Sequence, residues 1–211
     1  MATRRDGEVP SRPYLQLGVS SNVTYTYDES RKEGERITSV WVNDKPIDPK
    51  GTYSVGSGSF LIAGRDNFTE LAKGSKPVDS GKINLSAWVD WIKARKTLKP
   101  DFAKRAVSLT TSLHEGTSRD TTFTLGKPAD KAVAPDTVDF TSKDAVVNTI
   151  MKAQIVQDDK TVDVATTPVK DGWSSVSVKV PTAKGLVSGE ATTVFTFPDS
   201  GTTVRFAAKL S

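Results

Sequence analysis

Cysteine is absent from the 211 residues, which excludes disulfides, thiolate metal sites and a cysteine nucleophile. Histidine occurs once, at His114. One histidine cannot supply the ligand set of a self-sufficient metallohydrolase, nor the base of a credible Ser/His/Asp triad. No apolar run approaches the roughly 18 residues that would cross a bilayer, so no membrane span is expected. Behind the basic residues of Met1–Glu8 there is no apolar segment, so the sequence shows no secretion signal. A P-loop is missing as well. Gly56-x-Gly58 lacks the third glycine and the following helix of a dinucleotide fingerprint, which makes it a turn.

What the sequence does have is an ordinary soluble balance, 36% hydrophobic and 26% charged, enough for one large domain or two small ones. The net charge of +4 invites a nucleic-acid reading, but the cations are scattered and are not interleaved with aromatics. A nucleic-acid partner is therefore not expected. His114, beside Glu115 and Gly116, reads as a solvated loop residue. The sequons at Asn22, Asn67 and Asn84 would matter only in a secretory eukaryotic setting.

Two textures meet near residue 105. In the first half, Tyr14–Asp28 alternates as strands do, Arg36–Val42 reads as the return strand of a hairpin, and Tyr53–Gly56 as a third strand. Asn43–Pro46 and Asp48–Gly51 turn the chain. Leu85, Trp88, Val89 and Ile92 are spaced as one apolar helical stripe, with Asp79 and Ser80 as upstream caps and Lys93, Arg95 and Lys96 at the downstream end. Trp88 and Trp91 read as packing residues of that helix, and Asn67–Lys73 as a shorter helix. The second half carries 15 Val and 18 Thr from Ala106 onward, a density that favours strands. Strands are expected near 106–113, 121–125, 137–140, 154–157, 161–165, 174–180, 192–196 and 202–207, with turns at Asp158-Asp159 and Pro198–Gly201 and one short helix at Ser142–Met151. The expected fold class is a partial α+β domain at 14–105, followed by an all-β, immunoglobulin-like sandwich at 106–211. Residues 1–13 read as a disordered or artificial start.

Several ordered blocks in the first half resemble the C-terminal domain of the 5'-nucleotidase family. They are Ser20–Asp28, Gly34–Ile37, Val42–Asp48, Tyr53–Val55 and Phe60–Phe68, and the likeness covers roughly residues 14–105. The resemblance implies a two-domain metallophosphatase of extracellular or periplasmic nucleotides, with two divalent metals in an N-terminal domain and the nucleoside gripped by the C-terminal one. In the family's Phe-x-x-x-Gly-Gly-Asp motif the phenylalanine stacks on the base and the aspartate accepts from the ribose hydroxyls. Here these are Phe60 and Asp66, with Gly64 as the first glycine and Arg65 in place of the second. A guanidinium at position 65 would pair with Asp66, and a left-handed backbone there would be strained. Phe60 also reads as a core residue beside Leu61 and Ile62, and Asp66 as a cap ahead of Asn67–Glu70.

The functional expectation is the C-terminal fragment of a secreted or surface bacterial 5'-nucleotidase. It would contribute part of a nucleoside site built on Phe60, Gly64 and Asp66, with no catalytic residue, metal ligand or cofactor of its own. The metal domain and the first part of the nucleoside domain would precede Met1, so the isolated chain is expected to be inactive as a phosphohydrolase. Its partners would be a nucleoside or nucleotide and the missing N-terminal half. The alternative is a structural or adhesive surface module that uses the nucleotidase-like part only as scaffold.

Overall fold

The computed structural model describes residues 17–114, 120–127, 136–140, 145–179 and 185–210. The expected start at 1–13 and the beginning of the Tyr14–Asp28 segment lie outside the described residues. The chain divides into two compact units. The larger joins Val19–Pro49 to Asp101–Ser211, and the smaller joins Met1–Gly18 to Lys50–Pro100. This division differs from the expected joint near residue 105, because the first hairpin belongs with the β-rich half.

In the larger unit, β1 (Val23–Tyr27) and β2 (Ile37–Val42) form an antiparallel hairpin, and Asn43-Asp44 turn the chain into β3 (Lys45–Pro46). Asn43 and Asp44 both have positive φ, 51° and 60°, the conformation a tight two-residue turn needs and one that Asn and Asp tolerate. β4 (Ala106–His114) pairs along its first residues with β1, in parallel, and along the rest with β5 (Asp120–Leu125). β8 (Ser174–Lys179) completes a six-stranded sheet of order β3-β2-β1-β4-β5-β8. The second sheet has order β10-β9-β6-β7, from β6 (Ile150–Gln157), β7 (Lys160–Pro168), β9 (Gly189–Phe197) and β10 (Thr202–Leu210). Asp158-Asp159 and Pro198–Gly201 turn between paired strands as expected.

Side chains alternate in and out along β6 and β9, so each sheet offers one apolar face. These faces meet in a single core of Val107, Leu109, Phe123, Leu125, Met151, Ile155, Phe195 and Phe197, among others. The Phe123 ring lies 5.1 Å from Phe195 and 5.6 Å from Phe206, within the range where tilted aromatic pairs add to simple burial. The hairpin is part of the same structure. Trp41 on β2 is only 6% exposed, and it lines a recess with Thr24, Val107 and Val204 that is too narrow to admit a water molecule. The Trp41 indole N–H donates to Ser39 Oγ (2.8 Å), and the Ser39 hydroxyl donates to the Arg205 carbonyl on β10 (3.2 Å). Arg205 in turn pairs with Asp44 at 2.9 Å. These contacts tie the hairpin to β10, an edge strand of the second sheet, at Arg205.

Three expected elements are not formed. Tyr53–Gly56 runs as irregular chain and joins neither sheet. Thr137–Phe140 is likewise no strand. There the Thr137 hydroxyl donates to the Asp139 carbonyl (2.6 Å) and the Val138 amide to the Gly172 carbonyl (2.8 Å), so local bonds replace a ladder. Residues 145–151, the described part of the expected helix at 142–151, are not helical: 145–149 are irregular, and Ile150-Met151 open β6.

The smaller unit contains α1 (Ser59–Ile62), a 3-10 turn at Thr69–Lys73 and α2 (Asn84–Arg95). α2 falls where the apolar spacing placed a helix, with Lys93 and Arg95 in its last turn. Asp79 and Ser80 do not cap it. Their side chains accept from Gly81 and Lys82 in the preceding turn, at 2.8 Å and 3.3 Å, while Ile83 is the N-cap with no side-chain bond.

Candidate functional site

The expected site residues lie together on one short stretch of the smaller unit. Gly58 opens α1 in an extended conformation, and its carbonyl accepts from the amides of Leu61 and Ile62, both at 3.0 Å. One turn later the chain leaves the helix through Gly64. The Gly64 amide donates to the Leu61 carbonyl (2.9 Å) and the Arg65 amide to the Phe60 carbonyl (3.3 Å). This pair of bonds is the Schellman arrangement, and it requires a left-handed residue at the first position past the cap. Gly64 supplies it with φ 76°. A side chain there would also meet Ala72 Cβ at 3.0 Å and Thr69 Cα at 3.4 Å, so glycine is needed for both conformation and close packing.

Phe60, on that single turn, is 56% exposed. This removes the reading of Phe60 as a core residue and leaves a ring face open to solvent. Asp66 and Asn67 follow the cap with φ 53° and 67°, left-handed positions that their residue types accept better than most. Arg65, by contrast, is not among the residues of positive φ, so the expected strain at position 65 is corrected: the left-handed residues are its two successors and Gly64. The expected Arg65–Asp66 ion pair is not formed either. Among the described residues the Asp66 carboxylate has no hydrogen bond or ion-pair partner. Nor does Asp66 cap the 3-10 turn, whose N-cap is Phe68 without a side-chain bond. Glu70 and Lys73 pair along the turn at 2.5 Å.

Trp88 and Trp91 stand on α2 with ring centroids 5.9 Å apart, edge to face, and the Arg95 guanidinium lies 4.0 Å over the Trp91 ring. Their reading as packing residues is not met, since no residue of α2 is buried.

Sequence reasoning passed over a polar network in the larger unit. The side-chain amide of buried Asn148 donates to the Val138 carbonyl (3.1 Å) and Asp139 Oδ1 (2.7 Å), and its oxygen accepts from the Ser200 amide (3.2 Å). Next to it, Asp199 accepts from the Thr149 amide (2.7 Å) and hydroxyl (2.8 Å). These bonds hold the Asp199 carboxyl below its usual pKa, led by the Thr149 amide. The Tyr27 hydroxyl donates to Asp136 at 2.7 Å, and Lys127 pairs with Glu29, drawing that carboxyl below its usual range. The Lys104 ammonium donates to the Thr137 carbonyl and lies 5.4 Å over the Phe140 ring. Burial lowers its pKa, against the opposing pull of Asp139 and Asp136. No motif marks these residues, because apart from Asn148 with Val138 and Asp139 the partners lie 33 to 109 positions apart and meet only through the strand order. Each bond fixes a loop between strands, and the chemistry of the network is structural.

Among the described residues no three His, Asp, Glu or Cys side chains converge as metal ligands. The two-metal centre that the resemblance implies has no counterpart in the described part of this chain, and no chemical step is derived through it. Among the described residues, too, no helix is long and apolar enough to cross a membrane.

Comparison with known proteins bears on the same stretch. Residues 3–73 match the family model described as the 5'-nucleotidase, C-terminal domain. This segment contains the hairpin, Phe60, Gly64 and Asp66, takes in the residues set apart as a start, and ends before α2. A 5'-nucleotidase-related protein of Glossina morsitans morsitans is 35% identical over 101 residues, 44% of this chain and 18% of the relative. An apyrase of Tabanus yao is 28% identical over 81 residues, 35% of this chain and 15% of the relative. The chain thus spans less than a fifth of the length of either relative. The nucleotidase C-terminal resemblance read from the sequence blocks is therefore met by the family model and by both relatives.

Proposed function

We propose that this chain contributes part of the nucleoside-recognition surface of an extracellular 5'-nucleotidase-type protein and performs no phosphate hydrolysis by itself. One observation carries the reading: an exposed Phe60 ring and an unpaired Asp66 carboxylate on the two sides of one tightly capped turn. Base stacking on an aromatic face contributes about 1–3 kcal/mol and tolerates base identity. A carboxylate is acceptor only, which suits the two donors of a ribose diol. Gly64 holds the turn between them. Support for the substrate class comes from the match at 3–73 and from the resemblance itself. Both relatives come from flies and lend the expected bacterial source no support.

The second module reads as an immunoglobulin-like sandwich on its strand order. If β4 to β10 are taken as seven successive strands, first, second and fifth form one sheet and the other four form the second with the third beside the sixth. This order supports the reading in six of the seven strands and departs from it in the fourth, which lies beside the third instead of joining the fifth's sheet, and in β1–β3, which extend the first sheet.

Calorimetric titration of the full chain with adenosine and AMP tests the proposal. Binding should weaken by about 5- to 150-fold in Phe60→Ala, the equivalent of the stacking energy. It should also weaken in Asp66→Asn, which keeps a residue tolerant of the left-handed backbone. Heat that is absent for the wild type, or unchanged in both variants, supports the scaffold reading. That reading is favoured by the way the β1–β2 hairpin of the matched segment is built into the sandwich. AMP turnover by the repurified chain with added manganese or zinc would refute the inactive assignment.

A further inference from the structure

The smaller unit carries an apolar face that no described residue of that unit buries. Leu85, Trp88, Val89 and Ile92 lie on one side of α2 by their spacing, Leu85 is 72% exposed and Trp88 63%, and the neighbouring Ile83 and Val78 are exposed as well. A contiguous patch of large apolar side chains on a soluble surface marks an interaction site. The charge around it selects the occupant. Between Lys73 and Lys99 the sequence holds seven Lys or Arg and only two acids, Asp79 and Asp90, and Asp90 is already paired with Lys82 at 2.5 Å. That segment alone has a net charge of +5, more than the +4 of the whole chain.

A second copy of the same face would bring like charge against like charge. Low net hydrophobicity, two Trp, a short apolar stripe and Lys/Arg at its end are features that α2 shares with helices that lie in the interface of a bilayer, and because its apolar and polar sides are only weakly segregated the attraction rests mainly on the cations. Trp favours the headgroup level, where its ring is apolar and its N–H is wet. Arg95, stacked on Trp91, is positioned to keep its charge at that level while the ring enters. We propose that α2 is a peripheral docking element for an anionic lipid surface, lying in the plane of the membrane with the Leu85–Trp88–Ile92 side down and Lys93, Arg95, Lys96 and Lys99 against lipid phosphates.

The test is sedimentation of the full chain with vesicles of phosphatidylcholine alone or with about a third phosphatidylserine, at low and high salt. Binding to the anionic vesicles alone, lost in high salt, is expected. Each cation near the surface is worth about fivefold in partitioning, so the triple variant K93Q/R95Q/K96Q should bind roughly a hundredfold more weakly. No residue of α2 is buried, so its β-sheet circular dichroism should match the wild type. Brominated lipid should quench wild-type fluorescence and leave W88F/W91F, with only Trp41 and Trp173 remaining, unquenched. Equal binding to neutral vesicles would overturn the electrostatic selection. No vesicle binding, with self-association that W88F/W91F abolishes or with capture by polyglutamate, would overturn the lipid and assign the face to a second copy or an acidic protein.

Discussion

Trp41→Ala separates a hairpin that is part of the sandwich from one that merely precedes it. The side chain is 6% exposed, and a tryptophan of this kind hides about 150–250 Å². At about 25 cal/mol per Å² the burial is worth roughly 4–6 kcal/mol, and truncations of buried aromatics to alanine cost about 3–5 kcal/mol after relaxation. The indole's bond to Ser39 Oγ is also lost, but Ser39 still donates to the Arg205 carbonyl, so no buried hydroxyl is left without a partner. The hairpin lies toward one edge of its sheet and can close in part, which favours the lower end, about 3 kcal/mol. For a unit of this size each kcal/mol moves the midpoint by about 3 °C. Thermal unfolding followed by far-ultraviolet circular dichroism should then drop by roughly 9 °C as a single transition. Trp88→Ala, on exposed α2, should stay within about 0.5 kcal/mol of the wild type. A sandwich transition unmoved by Trp41→Ala, with only a small early phase lost, would refute the placement of the hairpin in the larger unit.

Limited proteolysis should cut within Lys50–Pro100, and the sandwich should retain residues 19–49 by association through native gel filtration; a bare fragment beginning near residue 106 that stays folded would contradict the parallel β1–β4 pairing. Asp199 has a folded pKa below its ordinary value of 3.8, so its contribution to stability is present above 3.8 and is lost as pH falls through the lower folded value. Acid unfolding of Asp199→Asn should show a shallower decline in that window, and an identical pH profile would count against the Thr149 bonds. Arg65→Gly should lower the stability of the smaller unit by about 0.4–1 kcal/mol through unfolded-state entropy, read as helical signal on heating, because position 65 has no left-handed strain for glycine to relieve.

Much of this architecture could be read in the residues, for local reasons. Asp158-Asp159 turns because Asp158 tolerates φ 51°, and α2 forms where apolar spacing, basic residues at the end and Pro100 all agree. The segments that misled were those whose fate was decided by distant partners. Thr137–Phe140 has the composition of a strand, but its backbone is claimed by Gly172 and Asn148. The helix expected up to Met151 gives way to Asn148, which bonds two separate loop segments, and to Met151, which is wholly buried in β6. Of the candidate site, Phe60, Gly64 and Asp66 are proposed from their motif, and the structure adds why position 64 takes glycine. Position 65 departs from the expectation because the motif's glycine pair suggests two left-handed residues in a row, whereas the left-handed conformation skips Arg65 and returns at Asp66 and Asn67.

The parallel pairing of β1 with β4 joins residues about 80 positions apart, Tyr25 to Ala106, and all of α1 and α2 lies within the closed connection. Closing a loop of that length costs about 2 kcal/mol more in chain entropy than closing one of ten residues. During synthesis at about 5–20 residues per second, β1 leaves the ribosome roughly 4–16 s before the strand it must join. For that interval the β1–β2 hairpin has an unpaired edge and an uncovered Trp41. Newly made chains therefore pass through a stage in which this hairpin is the part most in need of protection, and final assembly waits on the second half of the sequence.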